Sequence, residues 1–187
     1  MDEFSYLSVL LSVILGLAVT QILKGFRGLL LSRAHIQIYW PVIGWAIFVL
    51  LLCFQNWWSM FGMRNRQDWS FEQFAIVLLQ TILIYVVAGL VFPDFFGDAS
   101  IDLRESFYSH RRWFFFLGFA VVVVSVSKGL VLDGKLPKRT DLMFHAVFGF
   151  TVVVGALTKR EWYHKALVVV TIPVFILYIV VLYARMH

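Results

Sequence analysis

Long apolar runs separated by short polar segments dominate the sequence. A helix needs about 20 mostly apolar residues to cross roughly 30 Å of hydrocarbon, and six runs reach or approach that length. They cover residues 4–23, 39–61, 71–92, 113–132, 142–157 and 162–183. The pattern predicts an all-α, polytopic membrane bundle of six transmembrane helices, folded as a single domain over residues 1–187.

The fifth run is the shortest, with 16 residues between 142 and 157. It reaches spanning length only if Thr140 and Thr158 are included or if the bilayer thins locally. A five-span chain with a re-entrant fifth segment is therefore the main structural alternative. Helix-breaking residues mark several of the other boundaries, namely Pro41, Pro93, Gly134 and Pro137.

Composition supports a membrane environment. Hydrophobic residues make up 61% of the chain and charged residues 14%, whereas a soluble domain is about half apolar and about a quarter charged. The single cysteine, Cys53, excludes an internal disulfide or a cysteine metal site. The net charge of +5 comes from Lys and Arg clustered between apolar runs, which is typical of membrane proteins, so we predict no nucleic-acid partner.

Charges around the first run set the expected orientation. Asp2 and Glu3 precede this run and Lys24 and Arg27 follow it, so the positive-inside rule places the next loop in the cytoplasm. The acidic start is also unlike a signal peptide, so the first run should remain as a span. We expect a multi-pass protein of a bacterial inner membrane with both termini outside. The near balance of Lys and Arg between the two faces leaves an inverted three-plus-three repeat open.

Small residues on the first run predict a helix-packing surface. Four of them recur at intervals of four and fall in one strip along a helix, namely Ser8, Ser12, Gly16 and Thr20. Helices in lipid associate through such residues, so we expect another helix to dock there, from this chain or from a second copy in a homo-oligomer. In the sixth run, Pro173 predicts a kink and a candidate hinge.

The middles of the predicted spans carry no ionisable side chain. Such groups usually mark ion paths, proton relays or substrate sites, so their absence argues against a proton-driven transporter. The deepest polar pair is Gln80 and Thr81, near the middle of the third run. These two residues are the candidates for lining a channel or a neutral-solute path.

Polar side chains near the outer ends of the spans predict a shallow vestibule. Its candidate residues are Gln55, Asn56, Lys128, Asp141 and His145. Asp141 and His145 are four residues apart and can face the same way on a helix, so the carboxylate could orient the imidazole for proton transfer or ligand binding. Helix-end capping and solvation are the competing, and commoner, explanation.

The connection at residues 93–112 contains three carboxylates with helical spacing, Asp94, Asp98 and Asp102. Carboxylates of this kind could hold Mg²⁺, but Pro93 and Gly97 argue that they do not share one helix. We therefore predict no metal site.

We predict a short surface-lying helix in this connection, beginning near Asp98 or Ser100. Leu103 and Phe107 would point toward the membrane. Three arginines would contact lipid phosphates, namely Arg104, Arg111 and Arg112.

No sequence motif indicates a particular chemistry. His35, His110 and His164 would lie near one interface and could bind a metal or sense pH, but the spans offer no histidine pair for haem, and we expect no cofactor. The favoured hypothesis is a channel, transport pathway or pocket for a small solute or ion. The alternative is a non-transporting accessory, sensor or assembly protein acting through helix packing and the basic amphipathic loop. An enzyme is less favoured.

Overall fold

The computed structural model describes residues 3–31, 36–66, 68–94 and 100–183. The helices are α1 (Glu3–Leu31), α2 (Trp40–Phe61), α3 (Phe71–Gly89), α4 (Leu103–Asp133), α5 (Arg139–Leu157) and α6 (Glu161–Tyr183). Two short strands are also present, β1 (Ile36–Gln37) and β2 (Ile101–Asp102). Each of these six helices is long and apolar enough to cross a membrane, which confirms the prediction of an all-helical chain with six long apolar segments.

Local sequence signals explain where the helices begin and end. Pro41 lies in the first turn of α2, where its missing N–H has no helical partner to lose. Ser70 and Gln73 form a reciprocal capping box at the start of α3. Asp102 caps α4, and Gly134 ends it in the left-handed conformation, with φ of 63°.

The fifth segment forms one continuous helix of 19 residues, because α5 begins at Arg139 rather than at the first strongly apolar residue. Its length and apolar composition suffice for a crossing, so it does not show the break expected of a re-entrant segment. α3 packs about equally on α1 and α4, whereas α6 packs mainly on α2 and less extensively on α5. The two halves therefore differ in helix pairing.

Residues 103–133 form a single 31-residue helix, about 46 Å long at 1.5 Å per residue. The prediction of a separate surface-lying helix before the fourth span is therefore wrong. Leu103 is fully buried and Phe107 packs against the core, so neither side chain faces outward. No proline or glycine separates residues 103–112 from the apolar run that follows, so the helix continues without a break.

Alternate connections meet at the two ends of the bundle. β1 and β2 pair in parallel and join the connection after α1 to the one before α4; we call this end the strand end. At the opposite end, the backbone N–H of Trp69 donates to the Glu3 carboxylate at 3.0 Å, and Arg66 donates to the carbonyl of Leu132 at 2.7 Å. This is the grouping that six antiparallel helices in succession produce.

The packing face of α1 is not the predicted strip. Its buried side chains are larger and include Leu7, Leu11, Leu15, Ala18 and Ile22. Ser12, Gly16 and Thr20 are exposed and Ser8 is half-buried, and a Cβ placed on Gly16 would have no neighbouring atom within 4 Å. The expectation that a helix of this chain docks on the strip is wrong, because the Leu-rich face occupies the interior instead.

Close helix approach occurs at other glycines. Gly44 of α2 faces Val168 of α6, and a Cβ on this glycine would overlap the valine side chain. Gly155 of α5 faces Phe115 of α4, and a Cβ there would lie 3.1 Å from the ring. Small residues thus set helix spacing, as the packing of helices in lipid requires, but at positions outside the predicted strip on α1.

Candidate functional site

His145 is the best-connected of the predicted vestibule residues. Its Nδ1 donates to the main-chain carbonyl of Asp141 at 2.6 Å, and its Nε2 lies 3.0 Å from the hydroxyl of Ser125 on α4. The ring is therefore oriented by a main-chain carbonyl. Lys128 on α4 and Gln55 on α2 are half-buried, whereas Asn56 on α2 is buried. The vestibule residues are thus distributed over three helices at the opposite end.

Gln80 and Thr81 lie inside the packed bundle. Thr81 is fully buried and its hydroxyl donates to the carbonyl of Val77 on the same helix at 3.0 Å. Gln80 is 5% exposed, and its Oε1 has no hydrogen-bond partner in the part of the chain that the structure describes. The other buried side chains on α3, such as Val77 and Ile84, are apolar.

A group of aromatic and cationic side chains forms the strand-end cluster. Its members are Tyr39, Phe107, Tyr108, Arg111, Phe115 and His164. They come from the starts of α2, α4 and α6, which lie at the same end because successive helices run in opposite directions. Their rings make a continuous set of edge, tilted and stacked contacts.

His164 lies at the centre of this cluster and is fully buried. Its ring stacks on Phe115 with centroids 5.6 Å apart and meets Tyr108 edge-on, also at 5.6 Å. Because a carbonyl can only accept, Nε2 donates to the carbonyl of Thr158 at 3.1 Å. Nδ1 is buried without a hydrogen-bond partner among the described residues. The neutral imidazole therefore presents an unused acceptor to the cluster.

Arg111 is only 2% exposed. One terminal nitrogen donates to the carbonyl of Ala156 at 3.3 Å, and the guanidinium carbon lies 5.8 Å from the centre of the Tyr108 ring. Nε is buried and unpaired within the described ranges. The ion pairs of those ranges are Arg66–Asp133, Arg104–Glu161 and Lys165–Glu161, none of which includes Arg111. A buried guanidinium without a carboxylate is costly to maintain.

The two tyrosines supply hydroxyl groups to the same region. Tyr39 is 5% exposed, and its ring centroid lies 6.2 Å from that of Tyr108. Both hydroxyls are buried and neither makes a hydrogen bond of good geometry within the described chain, although the two phenols lie close enough to interact with each other. Tyr39 immediately precedes α2, and burial raises the pKa of its phenol, which therefore stays protonated and able to donate.

Unpaired buried polar atoms are concentrated at this end. Of seven such side-chain atoms among the described residues, four belong to Tyr39, Tyr108, Arg111 and His164. Native interiors usually satisfy buried polar groups, so a cluster of exceptions needs an explanation, such as an absent water, ion or ligand. The strand-end cluster is therefore the strongest candidate for a functional site.

A small cavity adjoins the cluster. It has a volume of about 10 Å³ and lies between α2, α4 and the end of α3, with Trp45, Phe107 and His110 in its wall. A space of this size holds about one water molecule. Phe107 is the member of the strand-end cluster that lines this cavity, and the indole N–H of Trp45, another lining residue, is buried and unpaired in the described chain.

A salt bridge lies over the outer side of the cluster. Arg104 of α4 pairs with Glu161 of α6 at 3.0 Å, and its guanidinium carbon is 5.6 Å from the centre of the Tyr108 ring. Glu161 also pairs with Lys165 at 2.7 Å. Tyr108 thus lies between two arginines, one exposed and one buried.

The remaining predicted residues have separate positions. Arg104 and Arg112 are exposed, and their contact with lipid phosphates stays a prediction. Arg111 is buried and does not lie on the surface that we predicted for all three arginines. His110 is exposed, with Nδ1 near Ser106 and Ser109 of its own helix, while His35 falls outside the described residues.

The structure adds nothing to a metal interpretation. The Asp102 carboxylate accepts from the backbone N–H groups of Arg104 and Glu105 at the start of α4, and Asp98 falls outside the described residues. Within the described ranges, no group of three His, Cys, Asp or Glu side chains is placed to hold a metal ion.

Sequence reasoning considered Arg111 and His164 separately and did not place Tyr39 or Tyr108 in a candidate site. The sequence does contain a signal for the cluster, because all four residues lie near the starts of even-numbered apolar runs, and these starts share one end of a bundle whose helices alternate in direction.

The fold defines the class of the protein as a chain of six helices that are long and apolar enough to span a membrane. Comparisons with protein-family models, curated proteins and solved structures found no match.

Proposed function

We propose that the chain is an integral membrane protein with six transmembrane helices, located in a bacterial inner membrane with both termini outside. Six apolar helices support the spanning arrangement. Lys24 and Arg27, which follow the apolar part of α1, support a cytoplasmic strand end through the positive-inside rule.

Within this arrangement we infer that the protein holds a small solute in a pocket formed by the strand-end cluster. The observation that carries this proposal is the group of four buried, unpaired polar atoms around Tyr108. A pocket is favoured over a continuous path, because Gln80 and Thr81 lie among buried apolar side chains. A solute-binding pocket usually combines apolar walls with a few polar groups that fix orientation, which is the composition of this cluster.

Cysteine accessibility provides the test. In a Cys53→Ala background, Tyr108→Cys should react with a small, charged, membrane-impermeant thiol reagent added from the cytoplasmic side, because the pocket admits small solutes. Thr81→Cys should react from neither side, since its side chain is enclosed by the bundle. Modification is measured by mass spectrometry of protein in oriented vesicles.

The control is Phe175→Cys, which replaces a buried ring by a thiol in α6 away from the cluster, whereas Tyr108 is itself half-buried. Equal reaction rates at Tyr108→Cys and Phe175→Cys would contradict the pocket, because the removal of an aromatic ring would then by itself explain why the reagent reaches the thiol. An unreactive Tyr108→Cys would contradict it as well. Reaction of Thr81→Cys from both sides would favour a through-path instead.

A second candidate function is a non-transporting assembly protein that works as a homo-oligomer. It is favoured by the α1 strip, where Ser12, Gly16 and Thr20 are exposed and available to a second copy. In the Cys53→Ala background, Ser12→Cys should then form an intermolecular disulfide on mild oxidation, whereas Leu10→Cys, on another exposed side of α1, should not. Equal cross-linking of both variants would exclude the strip as an interface.

A further inference from the structure

We propose that the solute held by the strand-end cluster is an oxyanion, with a phosphate group as the ligand chemistry that the cluster fits. The phosphate could belong to the headgroup of an anionic lipid or to a free small molecule. This inference rests on the proposed pocket and adds the charge and the hydrogen-bonding pattern of the ligand.

Charge is the first argument. Arg111 is buried and has no carboxylate partner among the described residues. An arginine cannot shed its proton in a protein, and the carbonyl of Ala156 and the ring of Tyr108 compensate its charge only in part. An anion bound beside the guanidinium balances it directly. A neutral solute or a water molecule would leave the charge only partly compensated.

The hydrogen-bonding groups are the second argument. The unpaired Nε of Arg111 is a donor, and the hydroxyls of Tyr39 and Tyr108 can each donate to an anionic oxygen. An oxyanion has several acceptor oxygens, so it can accept from the guanidinium and from a phenol that gives up its interaction with the other phenol. Arginine is the side chain best suited to this role, because its planar group matches phosphate geometry. The Nδ1 of His164 is an acceptor in the neutral ring, so it can accept a hydrogen bond from the hydroxyl group of a singly protonated phosphate.

The approach to the cluster is the third argument. Arg104 lies over Tyr108 and is exposed, so it presents positive charge at the outer side of the cluster. Its bridge to Glu161 joins α4 to α6 across the same place. An incoming phosphate can compete with Glu161 for Arg104, which separates the pair and opens a route to Arg111. The surrounding lysines and arginines of this end, including Lys165, favour the approach of an anion.

The experiment measures thermal unfolding of the full chain in phosphatidylcholine nanodiscs by intrinsic tryptophan fluorescence. One arm titrates inorganic phosphate against chloride at matched ionic strength. A second arm replaces part of the phosphatidylcholine by phosphatidylglycerol. A ligand that binds only the folded protein raises the unfolding temperature in proportion to its affinity, so the two arms report a free phosphate and a lipid phosphate separately.

Three variants test the assignment. Arg111→Met should weaken phosphate binding by about tenfold or more, because hydrogen bonds to charged groups are the strongest that the cluster offers. Tyr108→Phe keeps the ring and removes the hydroxyl, and it should weaken binding by a smaller factor. Arg139→Met, which removes an exposed arginine at the start of α5 and therefore at the opposite end of the bundle, should bind as the unmodified protein does.

A stabilisation by phosphate that Arg111→Met loses and Arg139→Met keeps supports a free oxyanion. The same pattern in the phosphatidylglycerol arm alone supports a lipid headgroup. Absence of stabilisation in both arms, or equal stabilisation of Arg111→Met and the unmodified protein, would overturn the inference. If Arg111→Met does not fold, Tyr108→Phe and Arg111→Lys decide the outcome, and undiminished binding in both overturns it. If Tyr108→Cys reacts with the thiol reagent but neither phosphate nor phosphatidylglycerol stabilises the protein, the proposed pocket is retained and only the proposal of an oxyanion ligand is rejected.

Discussion

Replacing Phe115 by alanine is expected to lower the free energy of unfolding by about 3–5 kcal/mol, the usual range for truncating a buried aromatic residue. The ring is 1% exposed and contacts Trp45, Phe114 and His164 with centroid distances of 5.2–5.6 Å. Removing it leaves a cavity between α2, α4 and α6 and takes away the surface on which His164 stacks. The loss is measured by reversible unfolding in mixed detergent micelles.

The adjacent residue provides the control for this experiment. Phe116 is 60% exposed, so Phe116→Ala removes the same ring from the same helix without opening the core. Its effect on the free energy of unfolding should stay within about 0.5 kcal/mol, as for surface substitutions in general. Equal losses for Phe115→Ala and Phe116→Ala would contradict the placement of the cluster in the interior.

Gly44→Leu is expected to lower the free energy of unfolding by about 2–3 kcal/mol, through overpacking between α2 and α6. Even a Cβ at this position overlaps the side chain of Val168, so the two helices must move apart or Val168 must leave its place. Because both helices contribute to the strand-end cluster, the variant should also weaken phosphate binding. Unfolding and phosphate titration are measured on the same preparation.

Gly16→Leu makes the same change at an exposed helical glycine whose Cβ would meet no neighbour. It should not lower the stability of the single chain, because leucine has the better helix propensity, and this separates the cost of overpacking from the effect of propensity. The pair Gly44→Ala with Val168→Ala should recover much of the stability lost in Gly44→Ala alone, because the shorter side chain makes room for the new methyl group. An additive loss in the double variant would argue against the contact.

The number and order of the helices could be predicted from the sequence, because apolar length alone determines which segments can cross a bilayer. Boundaries were accurate where a residue forces them, as at Pro41 and Gly134. The predicted helices were too short where charged residues follow an apolar run without ending the helix. Lys24 and Arg27 lie within α1, which continues to Leu31.

The packing of α1 could not be predicted from its own residues. The strip around Gly16 and the face around Leu11 both have helical spacing, and nothing local decides between them. The positions of α2 and α3 determine which face of α1 is buried, because these two helices pack against the face that carries the larger side chains. The strand-end cluster was missed for a related reason: Tyr39, Tyr108 and His164 are far apart in sequence and meet only when alternate helices share an end.

The β1–β2 pair also controls the depth of the buried arginine. β2 ends at Asp102 and α4 begins at Leu103, so the short ribbon fixes the height and the rotation at which the longest helix of the described chain starts. Arg111 follows eight residues later on that helix. One inserted residue between them would turn its side chain by about 100° and shift it by about 1.5 Å. The four residues of the strand pair, of which Ile36 and Ile101 pack against the core, therefore fix the position of the buried charge.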